Sequence, residues 1–143
     1  MQRYMPDWWA LPAIDDNNRE FFTSGKIVIQ TCKSCETLQH PPEDVCHACQ
    51  GTTFNWRACS GEGVVYSHTV VEHPIPAALK ERVPYIVVVV SLDDHPQIRV
   101  LGNLVNIDPE KVEVGQPVHA VFETIEDKEN DVTLKIPQWA VVN

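Results

Sequence analysis

The sequence has no unbroken apolar run longer than Tyr85 to Val90, and its start is not a basic stretch leading into an apolar one. A bilayer-spanning helix needs about 20 apolar residues, and a secretory leader needs a basic region followed by an apolar one. The chain therefore reads as cytosolic, with no membrane partner expected. Basic residues are also scarce: 11 Lys and Arg stand against 20 Asp and Glu, a formal charge of -9. Such a surface repels polyphosphates unless its few bases gather in one place, so nucleic acid is not the expected partner. No serine or cysteine lies in a nucleophile motif, and His68, His73, His95 and His119 are scattered over different strands and loops. Asp93 and Asp94 would point to opposite sides of an extended chain, so they form a turn and not an acid and base pair. Gly61-Glu-Gly63 precedes a strand and lacks a third glycine, so it is a turn and not a dinucleotide fingerprint. The chain is expected to have no catalytic residues of its own.

What is present is the composition of a globular protein, with 43% hydrophobic and 22% charged residues in 143. That length holds one ordinary core, or a metal-stapled module beside a compact barrel. Five cysteines without a secretion signal argue against a disulfide framework, because the cytosol keeps thiols reduced and the count is odd. Four of them form matched pairs, Cys32-Lys-Ser-Cys35 and Cys46-His-Ala-Cys49, separated by ten residues. Two residues between cysteines let a tight turn aim both thiolates at one ion, and two such turns complete the tetrahedron that zinc prefers. A redox pair would open a helix in an alternating strand and helix pattern, which is missing. Iron also accepts four thiolates, but nothing here suggests an electron-transfer partner, so structural zinc is the expected cofactor. His40 and His47 lie nearby but are expected at the surface, and Cys59 as an ordinary buried or half-buried thiol.

Composition divides the chain into three parts. Residues 1–25 carry Trp8, Trp9, Ile14, Phe21 and Phe22. They predict a helix over 15–24, capped by Asp15 or Asp16 and stopped at Gly25, whose aromatics pack on the rest of the chain, the other destination being another protein. Residues 26–59 hold the cysteines, with Pro41-Pro42 between the pairs, and read as a zinc ribbon whose folding depends on its ion. Residues 60–143 are written in strands: Val64–Val71, Tyr85–Val90, Ile98–Val105, Val118–Thr124 and Val132–Ile136, with Tyr85–Val90 expected to pack on both faces. Turn signals separate them at Asp93-Asp94-His95-Pro96, Asp108-Pro109, Gly115-Gln-Pro117 and Glu129-Asn130-Asp131. Five strands without long helices predict a five-stranded OB-fold barrel, a sandwich being the other arrangement of the same pattern. The fold class is thus mainly β: an N-terminal helix, a rubredoxin-like zinc ribbon, then the barrel.

The order of these parts resembles one family. The aromatic helix, the four-cysteine ribbon, Ser60-Gly61-Glu-Gly63-Val-Val-Tyr66-Ser67, Pro84-Tyr85 opening a strand that ends in Leu92-Asp93-Asp94, Leu101-Gly102, Asp108-Pro109 and Val114-Gly115-Gln-Pro117-Val118 are similar to the OB-fold and zinc-ribbon proteins of the domain of unknown function thirty-five. Glu36 and Gln50 depart from it, standing where ribbon knuckles often carry glycine, and His95 stands where a glycine often follows. The resemblance implies a non-catalytic accessory subunit that binds and stabilises a thiolase-superfamily enzyme, an acyltransferase or a retro-aldolase acting on acyl-CoA thioesters, as in steroid side-chain breakdown. It further implies a hetero-oligomer and a part in holding the CoA ester. Lys80, Arg82 and Arg99 are the bases nearest the barrel strands for its phosphates, with Arg57 weaker. The alternative is a single-stranded nucleic-acid-binding OB-fold, which the charge opposes: from Leu101 onward only Lys111, Lys128 and Lys135 are basic.

Overall fold

Alternation governs the larger half of the molecule. In the computed structural model, which describes residues 1 and 3–143, Ile86, Val88, Val90 and Leu92 are buried while Tyr85, Val87, Val89 and Ser91 between them are half-exposed. The apolar run expected to be covered on both faces is therefore a barrel strand, with one face inside and the other on the wall. The barrel interior is filled by these four residues with Val65, Val100, Leu104, Val118, Leu134 and Trp139. Each such side chain contributes roughly 1.5–3 kcal/mol when removed from water.

The chain runs α1 (Arg19–Thr23), β1 (Val28–Cys32), β2 (Leu38–Gln39), β3 (Phe54–Ala58), β4 (Glu62–Val71), β5 (Tyr85–Leu92), β6 (Arg99–Val105), β7 (Pro117–Asp127) and β8 (Val132–Val141). Single 3-10 turns at Ala77–Leu79 and Pro109–Lys111 interrupt the β4–β5 and β6–β7 connections. Strands β4-β5-β6-β8-β7 form the barrel of an OB-fold. Long antiparallel ladders join β4 to β5, β5 to β6 and β7 to β8. Two short seams close the ring: β6 with β8 in parallel at Leu104↔Trp139 and Val105↔Ala140, and β4 with β7 at Glu62↔His119, Gly63↔Val118 and Val64↔Pro117. β4 needs Gly63 at that seam, since a Cβ there would come within 2.6 Å of both Ser91 O and Val90 Cγ1. The expected turn at Asp93-Asp94 is present, and Asp94 Oδ2 accepts a 2.7 Å bond from the Ser60 N–H, which ties it to the start of the barrel.

The smaller sheet has the order β2-β1-β3. Every residue of β1 is buried, including Gln30, which holds the loop between the cysteine pairs. Its Nε2 donates to Glu43 O at 2.8 Å, and its Oε1 accepts from the Glu43 N–H at 2.9 Å and from Gln39 Nε2 at 2.7 Å. A buried amide oxygen or nitrogen is costly without a partner, and here each has at least one.

The N-terminal helix is shorter than the sequence predicts. α1 begins only at Arg19, after Asn18, whose side chain makes no capping bond, while Asp15 Oδ1 accepts the N–H groups of Asn17 and Asn18 at 2.8 and 2.9 Å in the turn that precedes it. Its stop is as expected, with Gly25 in the left-handed region at φ 68°. α1 packs on β8 and β1, and Phe21, Ile27, Val28 and Ile29 join the barrel residues in one continuous apolar core. Of the other early aromatics, Trp9 and Phe22 are half-buried, whereas Trp8 is 68% exposed. Among the described residues no helix is long and apolar enough to cross a membrane.

Candidate metal centre and the basic residues

Both cysteine pairs fold into the same turn. The Glu36 N–H donates to Cys32 O and the Gln50 N–H to Cys46 O, each at 2.9 Å. Glu36 and Gln50, the residues directly after each pair, both take φ 62°. That is the left-handed conformation glycine enters without cost, so the two departures noted in the sequence keep the knuckle geometry with a side chain attached. The Sγ atoms of Cys32, Cys35, Cys46 and Cys49 all lie within 4.8 Å of one another. Cys32 and Cys49 are 3.5 Å apart, and Cys35 and Cys46 are 3.7 Å apart. A tetrahedron with zinc–sulfur bonds of about 2.3 Å has edges of about 3.8 Å, so the donor set fits zinc, and four thiolates leave no open position for a reacting water. Zinc here is structural.

The clustered thiols also perturb one another. The hydroxyl and N–H of Thr37 hold the Cys35 thiol down to about 6. Cys49 is pushed up to about 12: the Gly51 N–H pulls it down, but the thiols of Cys32, Cys35 and Cys46 and burial outweigh that pull. Four clustered sulfurs cannot all carry charge without a cation among them, and a divalent ion removes the conflict. Thr37 and Gly51 were not singled out from the sequence. Gly51 lets the chain pass the site: a Cβ there would stand 3.2 Å from the Sγ atoms of both Cys32 and Cys49.

His47 is exposed as expected, its Nδ1 sitting 2.9 Å from Gln39 Oε1. His40 is a correction. It is half-buried where the sequence places it in solvent: its ring lies 5.0 Å from that of Phe21, Nδ1 is shut off from water, and burial holds the imidazole down to about 4. Phe21 of α1 packs beside a residue whose local sequence is polar. Cys59 is half-buried, and burial raises its thiol above the ordinary range.

The basic candidates divide. Lys80 and Arg82, which follow the Ala77–Leu79 turn, line one cavity of about 450 Å³ together with Trp8. Arg99 stands apart on β6, its guanidinium carbon 3.8 Å from the centre of the Tyr66 ring. Arg57 is exposed on β3.

Comparison with known proteins bears on both halves. The profile of the ChsH2 rubredoxin-like zinc ribbon domain matches residues 19–55, and that of the ChsH2 C-terminal OB-fold domain matches residues 56–123. A DUF35 domain-containing scaffold protein of Methanocaldococcus jannaschii is 34% identical over 101 residues, covering 70% of each chain. A probable enoyl-CoA hydratase alpha subunit of Thermomonospora curvata is 39% identical over 110 residues, 75% of this chain but 33% of that protein, so the chain spans about a third of that relative. Among solved structures, the Ltp2-ChsH2(DUF35) aldolase superposes with a TM-score of 0.74 at 34% identity, covering 92% of this chain and 98% of the matched one.

Proposed function

We propose that this chain, which belongs to the DUF35 family of zinc-ribbon and OB-fold proteins, is a non-catalytic accessory subunit of an acyl-CoA-processing enzyme. Its partner in this reading is a thiolase-superfamily aldolase or acyltransferase acting on a CoA thioester, and the two form a hetero-oligomer. The observation that carries it is the near end-to-end likeness to a chain of the Ltp2-ChsH2(DUF35) aldolase at 34% identity. The name of the hydratase alpha subunit points to the same class of thioester chemistry.

Physical features fit such a role. Trp8 and Ile75 present 68% and 98% of their surface to solvent, and exposed aromatic and aliphatic side chains are the usual anchors of protein interfaces. Lys80 and Arg82 beside Trp8 offer cations and an aromatic face in one cavity, a pairing suited to the phosphates and adenine of CoA. On this reading Arg99, committed to Tyr66, contributes less.

Co-expression with a thiolase-superfamily protein encoded beside it, followed by size-exclusion chromatography, activity assay and metal analysis, tests the proposal. A stable complex with about one zinc per chain, more active than the partner alone, is expected. A chain that elutes alone and leaves the partner's activity unchanged sinks it.

A further inference from the structure

A second cavity, of about 600 Å³, lies where the N-terminal segment, the ribbon and the barrel meet. Its wall takes Trp9 from the first, Phe21 and Phe22 from α1, His40 to Pro42 from the loop between the cysteine pairs, and Tyr85, Leu101 and Pro137 from the barrel. That volume is within the range of about 300–1,000 Å³ typical of small-molecule sites, which often form where structural units meet. No Lys, Arg, Asp or Glu lines it among the described residues, in a chain where 22% of residues are charged.

Most polar side chains on the wall are engaged within the fold. Asn18 Nδ2 donates to Ala13 O at 2.9 Å, Asn103 Nδ2 to Ile86 O at 3.0 Å, and Gln138 Nε2 to Glu123 Oε2 at 2.9 Å. Gln138 Oε1 accepts from the Asn103 N–H at 2.6 Å. His40 differs, because its Nδ1 is buried without any hydrogen-bond partner. A neutral imidazole carries one donor and one acceptor, and its ring torsion is broad enough to turn a nitrogen toward a bound group. Burial keeps it neutral, since it holds the ring down to about 4. An uncharged wall and an uncharged imidazole exclude a carboxylate or phosphate, for which no counter-charge is present.

We infer that this cavity is a binding site for an uncharged, mainly apolar small molecule carrying one hydroxyl or carbonyl group, which hydrogen-bonds to His40. The site is separate from the cavity of Lys80 and Arg82, and the inference stands whether or not the partner proposed above is correct.

The test titrates the zinc-loaded full chain with the neutral fluorophore N-phenyl-1-naphthylamine, then displaces it with 1-decanol or with decanoate. Saturable binding of one fluorophore per chain is expected, with decanol displacing it at concentrations at least about tenfold below decanoate. Leu101→Trp, at a wall residue that is 64% exposed, should abolish fluorophore binding while zinc content and circular dichroism stay unchanged. His40→Phe should weaken decanol, relative to n-decane displacing the same fluorophore, by about three- to tenfold, the loss of one hydrogen bond. Absence of saturable binding, equal displacement by decanol and decanoate, or indifference of decanol, relative to n-decane, to His40→Phe overturns the inference. The first of these outcomes would leave the cavity as a seat for a partner's apolar side chain.

Discussion

Gly102 on β6 leaves the space into which the indole of Trp139 on β8 packs. A Cβ at Gly102 would stand 2.9 Å from Trp139 Cδ1 and 3.1 Å from Nε1. Trp139 is fully buried and is itself part of the parallel seam, opposite Leu104. The largest side chain of the core and the absence of one across from it are thus a matched pair. Gly102→Ala is expected to lose about 1–3 kcal/mol through overpacking, read as a lowered urea midpoint with an unchanged slope. Stability equal to that of the parent would show that β6 and β8 can part without cost.

Cys46 is fully buried and 3.7 Å from Cys35 across the zinc site. Cys46→Ser should reduce bound zinc from about one per chain to near none. Because Ile27 and Ile29 of the ribbon share the barrel's core, the loss spreads: the thermal midpoint should fall by on the order of 10 °C. Zinc content by mass spectrometry and calorimetry check the two effects separately. Retention of a full zinc with three cysteines would contradict the four-sulfur site.

His40 gives the stability a pH dependence of known sign. Burial holds its folded-state value down to about 4, below the ordinary 6.5, so the unfolded chain takes up a proton that the folded chain refuses. The penalty is absent well above pH 6.5, grows as pH falls through it, and is complete near pH 4. Between pH 7 and pH 5.5 the wild-type chain should lose about 1 kcal/mol more stability than His40→Phe. Parallel urea curves for the two proteins would place His40 in solvent instead.

If Lys80 and Arg82 hold CoA phosphates, reversing both charges should weaken a CoA thioester for the assembled enzyme by at least about tenfold, with a shallower salt dependence. Arg99→Ala should change it by less than about twofold, because that guanidinium is spent on Tyr66. Calorimetric titration of the complex with CoA distinguishes the pair from the single residue, and equal effects would refute the division.

The zinc site was legible in the sequence because its geometry is local: two residues between cysteines fix a turn whatever surrounds it, and Glu36 and Gln50 adopt that turn without being glycine. The barrel strands were legible because Val132–Ile136 alternates with a period of two and the other runs are rich in β-branched residues. Tyr85–Val90 misled, since an uninterrupted apolar run does not say which face meets the interior, and only the closed ring decides that. His40 was hidden for a different reason. Its neighbours in sequence are polar and prolines, and its burial comes from Phe21, nineteen residues away on another element. The same holds for the cavity, whose walls come from three separate parts of the chain.

The seam between β6 and β8 also sets an order of events during synthesis. The ribbon's ligands lie within eighteen consecutive residues, Cys32 to Cys49, so zinc can be captured as soon as that segment leaves the ribosome. β8 touches both β6 and β7, so until Val132–Val141 has emerged, β6 presents an unpaired edge and the apolar wall of the barrel has no lid. A nascent chain arrested before that strand would carry a finished metal knuckle on an open sheet, the form most prone to associate with its neighbours.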